Sequence, residues 1–213
     1  MYLSKLTFNE SSVSARRLVA SPYQLHKALM WAFPDKAEGG GGRVLFRVDY
    51  GDRPERGHVL VQSEKEPNWM KAGQLLGSLA EPPQTKPLQI EFSRGQILYF
   101  RLLANPTVKR RTADDAPSKR LGLLREDDQY AWLSRKGEKG GFSLLSCTAT
   151  RKEMLKEAKA EGDARHRLSL LSICLEGVLK VEDPESFVET VRRGVGSAKG
   201  LGFGLLSIAP IRS

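Results

Sequence analysis

The 213-residue chain has three histidines, and one of them, His26, lies in the stretch SPYQLHKAL, three residues after Tyr23. Imidazole titrates near neutrality, so it can take or give a proton under ordinary conditions. A phenol three positions away on a helix shares its flank. The pair therefore suits acid–base work on a polyanion. His26 can equally be a half-buried packing group, and the residue types alone leave both readings open.

The element that must position the pair is a helix start. Ser21 occupies the N-cap place, Pro22 the first helical position, and Gln24 completes an S-x-x-Q capping box. Leu25, Ala28, Leu29 and Ala32 recur at helical spacing, and Pro34 ends the run. At ~100° per residue those four form a buried stripe, with Tyr23, His26 and Met30 together on one flank. The helix can stay docked while the pair faces a cleft. The partial positive charge of a helix N-terminus favours a phosphate there and should lower the His26 pKa. Lys27 beside them can steady a phosphate or stay solvated.

Other reactive residues carry less. His58 sits in an alternating strand, RGHVLVQ, and reads as structural; His166, in DARHRLS, reads as a loop residue. Asp114-Asp115 and Asp127-Asp128 are adjacent pairs among cations, which suits solvated loop or helix-start charge better than a metal site. No His/Cys/Asp/Glu spacing resembles a zinc site, and no metal or cofactor is expected. Cys147 and Cys174 read as free thiols of a reducing, cytoplasmic setting.

A second feature is GVGSAKGLGFG, with glycines at Gly194, Gly196, Gly200, Gly202 and Gly204. Dinucleotide and phosphate loops run strand, loop, helix. Here the order is helix, loop, strand, so phosphate would meet the negative end of the helix dipole. A nucleotide cofactor is not expected. Glycines still let backbone N–H groups approach a ligand backbone closely, with Arg192, Arg193 and Lys199 supplying charge. A tight turn without ligand would need about two of the five.

Composition narrows the partner. There are 34 basic and 25 acidic residues, a net charge of +9, and 40% hydrophobic residues. Residues 1–105 hold 14 basic and 10 acidic groups, the remainder 20 and 15, so the excess is spread over both halves. A long cationic surface follows, which favours nucleic acid. No apolar run approaches the ~20 residues of a membrane span, and MYLSKLTFNE reads as a strand rather than a signal peptide.

The order of elements predicts the fold. A strand at YLSKLTF precedes a loop over 9–20 and the His26 helix. RVLFRVDY and RGHVLVQS are strands, 68–79 a short helix, and 95–105 a central strand; EPPQTKP breaks structure. Strand, helix, strand, strand, helix, strand is the ferredoxin-like arrangement. Residues 106–120 read as a linker. Helix 125–137, strand 140–150, a charged excursion 151–167, a strand 168–182 broken at Gly177, a helix from Pro184 to about Arg193 and a strand 203–210 make a second such unit. The expected class is α+β, two tandem ferredoxin-like domains, 1–105 and 121–213.

A ferredoxin-like pair ending in RRGVGSAKGLGFGLLSIAP resembles the RAMP group of CRISPR-associated RNA-binding proteins. MYLSKLTFN…ARRLVASPYQLHKAL, RLLANPTVKR and the glycine loop, in order, resemble the CasE family over essentially the whole chain. That resemblance implies an endoribonuclease of the Cascade complex that processes crRNA. It would cut a repeat at the base of its stem-loop without metal and stay bound to the hairpin. His26 and Tyr23 fall on the family's histidine and tyrosine. The implied partners are RNA and other Cascade subunits, with no membrane and a monomer when free. A rival reading is a non-cleaving RNA-binding RAMP subunit. Tyr23 has three open roles: orienting the 2′-hydroxyl, sharing proton transfer, or stacking on a base.

The RNA contacts expected are Lys109, Arg110 and Arg111, a nearly pure cationic cluster, and Arg151, Lys152, Lys156, Lys159, Arg165 and Arg167 in the excursion. The excursion resembles in placement the basic hairpin by which CasE proteins grip a stem. Its bland alternative is a solvated helix whose Glu153, Glu157 and Glu161 offset the lysines.

Overall fold

The computed structural model describes residues 1–35, 40–50, 57–110, 119–161 and 164–211, with side chains except at 110, 119, 157–161 and 164–168. The chain divides into two compact units, residues 1–90 with 199–205, and residues 91–198 with 206–213.

The first unit begins with β1 (Tyr2–Thr7), followed by α1 (Val13–Ala20) and α2 (Pro22–Met30). Then come β2 (Val44–Asp49), β3 (His58–Ser63), a 3-10 turn at Trp69–Lys71, the single-turn α3 (Gly73–Leu76) and β4 (Gln84–Pro87). The sheet runs β2-β3-β1-β4, antiparallel throughout. That is the ferredoxin-like order. Leu6, Leu25, Leu29, Phe46, Val59, Val61 and Leu75 form its core, a compact apolar mass whose removal from water drives the folding.

Three expectations need correction here. The stretch 9–20 is not a loop: Ser12 accepts from the Ala15 N–H at 3.4 Å, and α1 follows with Ala15 and Leu18 buried. EPPQTKP does not merely break structure. Its second half is β4, a fully exposed edge strand that tolerates proline because one side of its ladder is open. Thr85 ties β4 in, through the Ser4 hydroxyl and the Trp69 indole N–H, each at 2.9 Å. The third concerns 95–105. This is indeed a central strand, β5 (Ile97–Ala104), but it opens the second unit, so the first ends at Ile90 rather than at 105.

The second unit continues with β6 (Thr107–Arg110), β7 (Lys119–Gly122), α4 (Glu126–Lys139), β8 (Phe142–Glu161), β9 (Ala164–Val181), α5 (Pro184–Arg193) and β10 (Leu206–Pro210). Its sheet order, β10-β5-β9-β8, repeats the same topology. The expected linker is therefore largely a hairpin: β6 pairs with β7 in register from Thr107↔Gly122 to Arg110↔Lys119. The excursion 151–167 is likewise no helix. It is the continuation of β8 and β9, paired to Glu161↔Ala164 as a two-stranded ribbon. Gly177 does not break β9. It pairs with Cys147, just past a bulge in β8 between Leu144 and Ser146, and a Cβ there would lie 2.1 Å from the Ser146 carbonyl oxygen. No helix among the described residues is long and apolar enough to cross a membrane.

Candidate active site

Ser21 fixes where α2, the helix of Tyr23 and His26, starts. Its N–H donates to the Leu18 carbonyl at 3.3 Å, closing α1, while its hydroxyl accepts from the Gln24 N–H at 3.3 Å, opening α2. One residue thus ends one helix and caps the next. The apolar stripe lies as expected: Leu25 and Leu29 are fully buried, Ala28 and Ala32 nearly so. Tyr23 and His26 are both half-buried on the adjoining flank, and Lys27 is exposed.

His26 is held on two sides. Its ring stacks on that of Phe46 from β2, with centroids 6.2 Å apart and planes 14° from parallel. Phe46 is itself 1% exposed. Along its Nε2 edge runs the 3-10 turn Lys199–Leu201, packed on α2 and β2. A Cβ at Gly200 would lie 3.7 Å from His26 Nε2. Nδ1 is buried without a hydrogen-bond partner among the described residues. Burial lowers the His26 pKa from its ordinary value. The direction is the expected one, but its cause is loss of solvent around the ring rather than the helix end. Burial thus favours the neutral form of the ring, and Nε2 is the nitrogen on the Gly200 side. The Lys27 ammonium sits 5.6 Å from the centroid of the Tyr23 ring, a cation–π pairing one helical turn apart.

The glycine loop is explained mostly by its own backbone. Gly194, Gly196, Gly202 and Gly204 all have positive φ, between 72° and 88°. The turn needs four of the five glycines, not two. A Cβ at Gly202 would press to 3.1 Å from the Phe46 ring, so this glycine lets the loop lie against the ring that carries His26. Gly200 is different. Its φ is not positive and its Cβ would meet His26 only at ordinary contact distance, so it is missing a side chain where the imidazole edge opens.

The cations expected from sequence are distributed as follows. Lys199 is half-buried on the turn beside α2. Arg192 and Arg193, in the second unit, both lie against Glu189 on α5. Lys109 is exposed and opposes Arg120 across the hairpin; Arg110 opposes Lys119. Lys119 and Arg120 were not singled out by the sequence reading, although SKR stands in plain view beyond the acidic run. In the ribbon, Arg151 pairs with Glu153 at 3.2 Å, the Lys152 ammonium donates to the Leu124 carbonyl, and Lys156 is exposed. Arg111, Asp114 and Asp115 lie outside the described residues, as do the side chains of Arg110, Lys159, Arg165, His166 and Arg167.

The remaining reactive groups take structural places. His58 Nε2 lies 3.8 Å from Asp49, whose carboxylate also receives the buried Arg47 guanidinium at 2.7 and 2.9 Å. Asp127 and Asp128 stand in the first turn of α4. Cys147 and Cys174 are free, and burial pushes the Cys147 thiol up to about 11. Among the described residues no group of His, Cys, Asp and Glu is arranged to hold a metal ion.

Two ferredoxin-like units, a capped helix bearing a tyrosine–histidine pair, and a glycine-rich return beside that helix define a tandem ferredoxin-like protein with a half-buried tyrosine–histidine flank in its first unit. The model of the CRISPR-associated protein family matches residues 1–210, and the chain belongs to that family. It is 38% identical over 218 residues to the CRISPR-associated endoribonuclease Cse3 of Thermus thermophilus, covering 99% of this chain and all of that one. It is 32% identical over 219 residues to the Cascade subunit CasE of Escherichia coli, with the same coverage. The structure of Thermus thermophilus Cse3 bound to an RNA representing a pre-cleavage complex superimposes with a TM-score of 0.83, at 37% identity over 98% of each chain.

Proposed function

We propose that the protein is a CRISPR endoribonuclease that cleaves precursor crRNA at the base of the repeat stem-loop, with His26 moving the proton. The observation that carries this reading is the placement of His26: stacked, desolvated and aimed by Nε2 at the one loop glycine that leaves its edge open. The endoribonuclease and Cascade-subunit relatives support the same activity.

The chemistry needs three services. The ribose 2′-hydroxyl must lose its proton as it attacks the adjacent phosphorus, the departing 5′-oxygen must gain one, and the phosphorane charge must be spread. A desolvated imidazole is a neutral base at rest, so Nε2 can take the 2′-hydroxyl proton. Phosphate charge favours that uptake by raising the ring's proton affinity, and the imidazolium then gives the same proton to the departing 5′-oxygen, whose alkoxide is the stronger base. Tyr23, on the same flank, orients the 2′-hydroxyl or shares the transfer, and Lys27 steadies the phosphate. The products are a 2′,3′-cyclic phosphate and a 5′-hydroxyl, and no divalent ion takes part.

The stem is held by cations further along the chain. Like charges directly opposite each other in a hairpin repel. The register of β6 and β7 places Lys109 against Arg120. An arrangement that weakens the free hairpin becomes favourable against a polyphosphate backbone. The β8–β9 ribbon, with Arg151, Lys152, Lys156, Lys159, Arg165 and Arg167, reaches along the stem, and Arg192, Arg193 and Lys199 neutralise phosphates near the glycine loop. The cleaved hairpin stays bound, and other Cascade subunits dock on the resulting ribonucleoprotein.

The test is incubation of the pure protein with repeat hairpins in EDTA, followed by analysis of the RNA ends. Cyclic phosphate and 5′-hydroxyl ends that vanish in His26→Ala, with hairpin affinity retained, support the reading. Binding by the wild type without any cutting would leave only the non-cleaving RAMP subunit.

A further inference from the structure

Beyond the His26 site, the same helix runs into a hollow of which the cleavage chemistry uses only Lys27. It measures about 490 Å³ and is lined by Lys27, Met30, Trp31, Phe33, Pro34, Asp35 and Lys71. Trp31, at the C-cap of α2, is 68% exposed, the most exposed of the described tryptophan, tyrosine and phenylalanine side chains. A tryptophan left this open loses the burial that normally justifies its size. The folding core does not hold it there. The neighbouring Phe33 and Trp69 rings supply that core, edge to face at 6.2 Å, and the Asn68 N–H donates to the Ala32 carbonyl at 2.7 Å. These contacts pin the 3-10 turn that carries exposed Lys71 against the end of α2.

The hollow continues the site. Tyr23, Lys27 and Trp31 recur every four residues, so they form one stripe along α2. Eight residues of helix rise about 12 Å, on the order of three or four stacked nucleotides. The stripe starts at the tyrosine beside His26 and ends at an open indole. Two lysines border that end, against one acid, Asp35. An open aromatic face flanked by cations is how proteins hold single-stranded nucleic acid without reading its sequence.

We propose that Trp31, with Lys27 and Lys71, forms a stacking subsite for an unpaired nucleotide of the strand that flanks the cleaved linkage. The indole takes the base and the lysines take the neighbouring phosphates. This inference rests on the RNA-cleavage reading above. The subsite would hold the single strand along α2, so that the linkage beside Tyr23 and His26 is drawn out of the helical stack before it reacts.

The test uses stem-loop RNA of the host's own CRISPR repeat, with a 2′-deoxy sugar at the cleavage position so that it binds uncut. One form carries 2-aminopurine singly at each unpaired position beside the stem; another is the stem-loop alone. For the wild type, one or two flank positions should be quenched on binding. In Trp31→Ala the quench should disappear and affinity for the flanked RNA should fall about tenfold, while affinity for the stem-loop alone holds. Trp31→Phe should restore most of both, and Lys71→Ala should weaken only the flanked form. Equal quench and affinity in wild type and Trp31→Ala overturn the inference while leaving the cleavage reading intact. A wild type that binds neither RNA overturns the cleavage reading itself. Trp31→Ala that keeps its RNA behaviour but no longer co-purifies with its partner subunits would assign the hollow to a protein and also overturn the inference.

Discussion

The rings of His26 and Phe46 lie nearly parallel, 14° apart, with 6.2 Å between their centroids. Phe46 is a core residue of β2, so the orientation of the imidazole is set by the same packing that holds the first sheet together. Phe46→Leu keeps the site apolar and removes the flat surface. Such a change costs about 1–2 kcal/mol of stability. Cleavage should fall on the order of tenfold to a hundredfold, because the imidazole that we propose moves the proton loses its fixed aim. Affinity for uncleavable hairpin should be unchanged. Parallel single-turnover and binding measurements check this. An equal loss in both would show that Phe46 only holds the fold.

The loop glycines make a sharper pair. Gly202 combines φ +85° with a Cβ position 3.1 Å from the Phe46 ring, so Gly202→Ala should destabilise the protein by about 1–2 kcal/mol and lower activity with it. Gly200 has neither constraint, and its Cβ would meet His26 at 3.7 Å. Gly200→Ala should therefore leave the melting temperature unchanged while slowing cleavage, because the methyl group fills the space the substrate needs at Nε2. Thermal melts beside cleavage assays separate the two. A Gly200→Ala protein with full activity would place the reacting phosphate elsewhere.

Much of this was legible in the sequence, and the misses have physical reasons. The S-P-x-Q start and the 25, 28, 29, 32 stripe define α2, because capping and helical periodicity are local signals. Local signals also carried α4 and α5. β4 was lost because an exposed edge strand buries nothing, so it shows no alternation, and its prolines read as breakers. Without β4, the next strand seemed to close the first sheet, and the domain boundary moved with it. The ribbon of β8 and β9 was indicated by the family resemblance and not by its own residue pattern, for a related reason. Beyond the sheet it has no core face, and its charges mimic a solvated helix. The site divides in the same way. Tyr23 and His26 are neighbours on one helix and could be paired by spacing. Phe46 and Gly200 reach His26 from β2 and from the far end of the chain, and no spacing rule connects those positions.

The pH dependence follows from burial of the ring. The folded state lowers the His26 pKa, so at low pH the unfolded chain binds a proton that the native site resists. Stability contributed at this position is intact above the ordinary histidine value. It is lost as pH falls through that value toward the lowered one. His26→Gln removes the titrating group. Its melting temperature should match the wild type at neutral pH and exceed it as the solution is acidified. The histidine NMR titration should likewise place His26 below ordinary imidazole, moving upward when an uncleavable RNA brings phosphate charge to Nε2. A His26 midpoint at or above the ordinary value in the free protein would contradict a neutral resting base.

The hairpin formed by β6 and β7 yields the remaining prediction. Lys109 and Arg120 face each other across one rung, at a cost to the free protein that anionic ligand would remove. Replacing either with alanine relieves the repulsion, so stability should hold or rise by a few tenths of a kcal/mol. RNA affinity should fall for every hairpin sequence alike, because phosphate contacts position the stem without specifying its bases. The slope of log affinity against log salt should drop by roughly one for each contact removed. Titrations at several salt concentrations, for the wild type, Lys109→Ala, Arg120→Ala and the double variant, read this directly. If the slope stays constant while stability rises, the paired cations are a solvated surface feature, and the stem must be held by the ribbon of β8 and β9 instead.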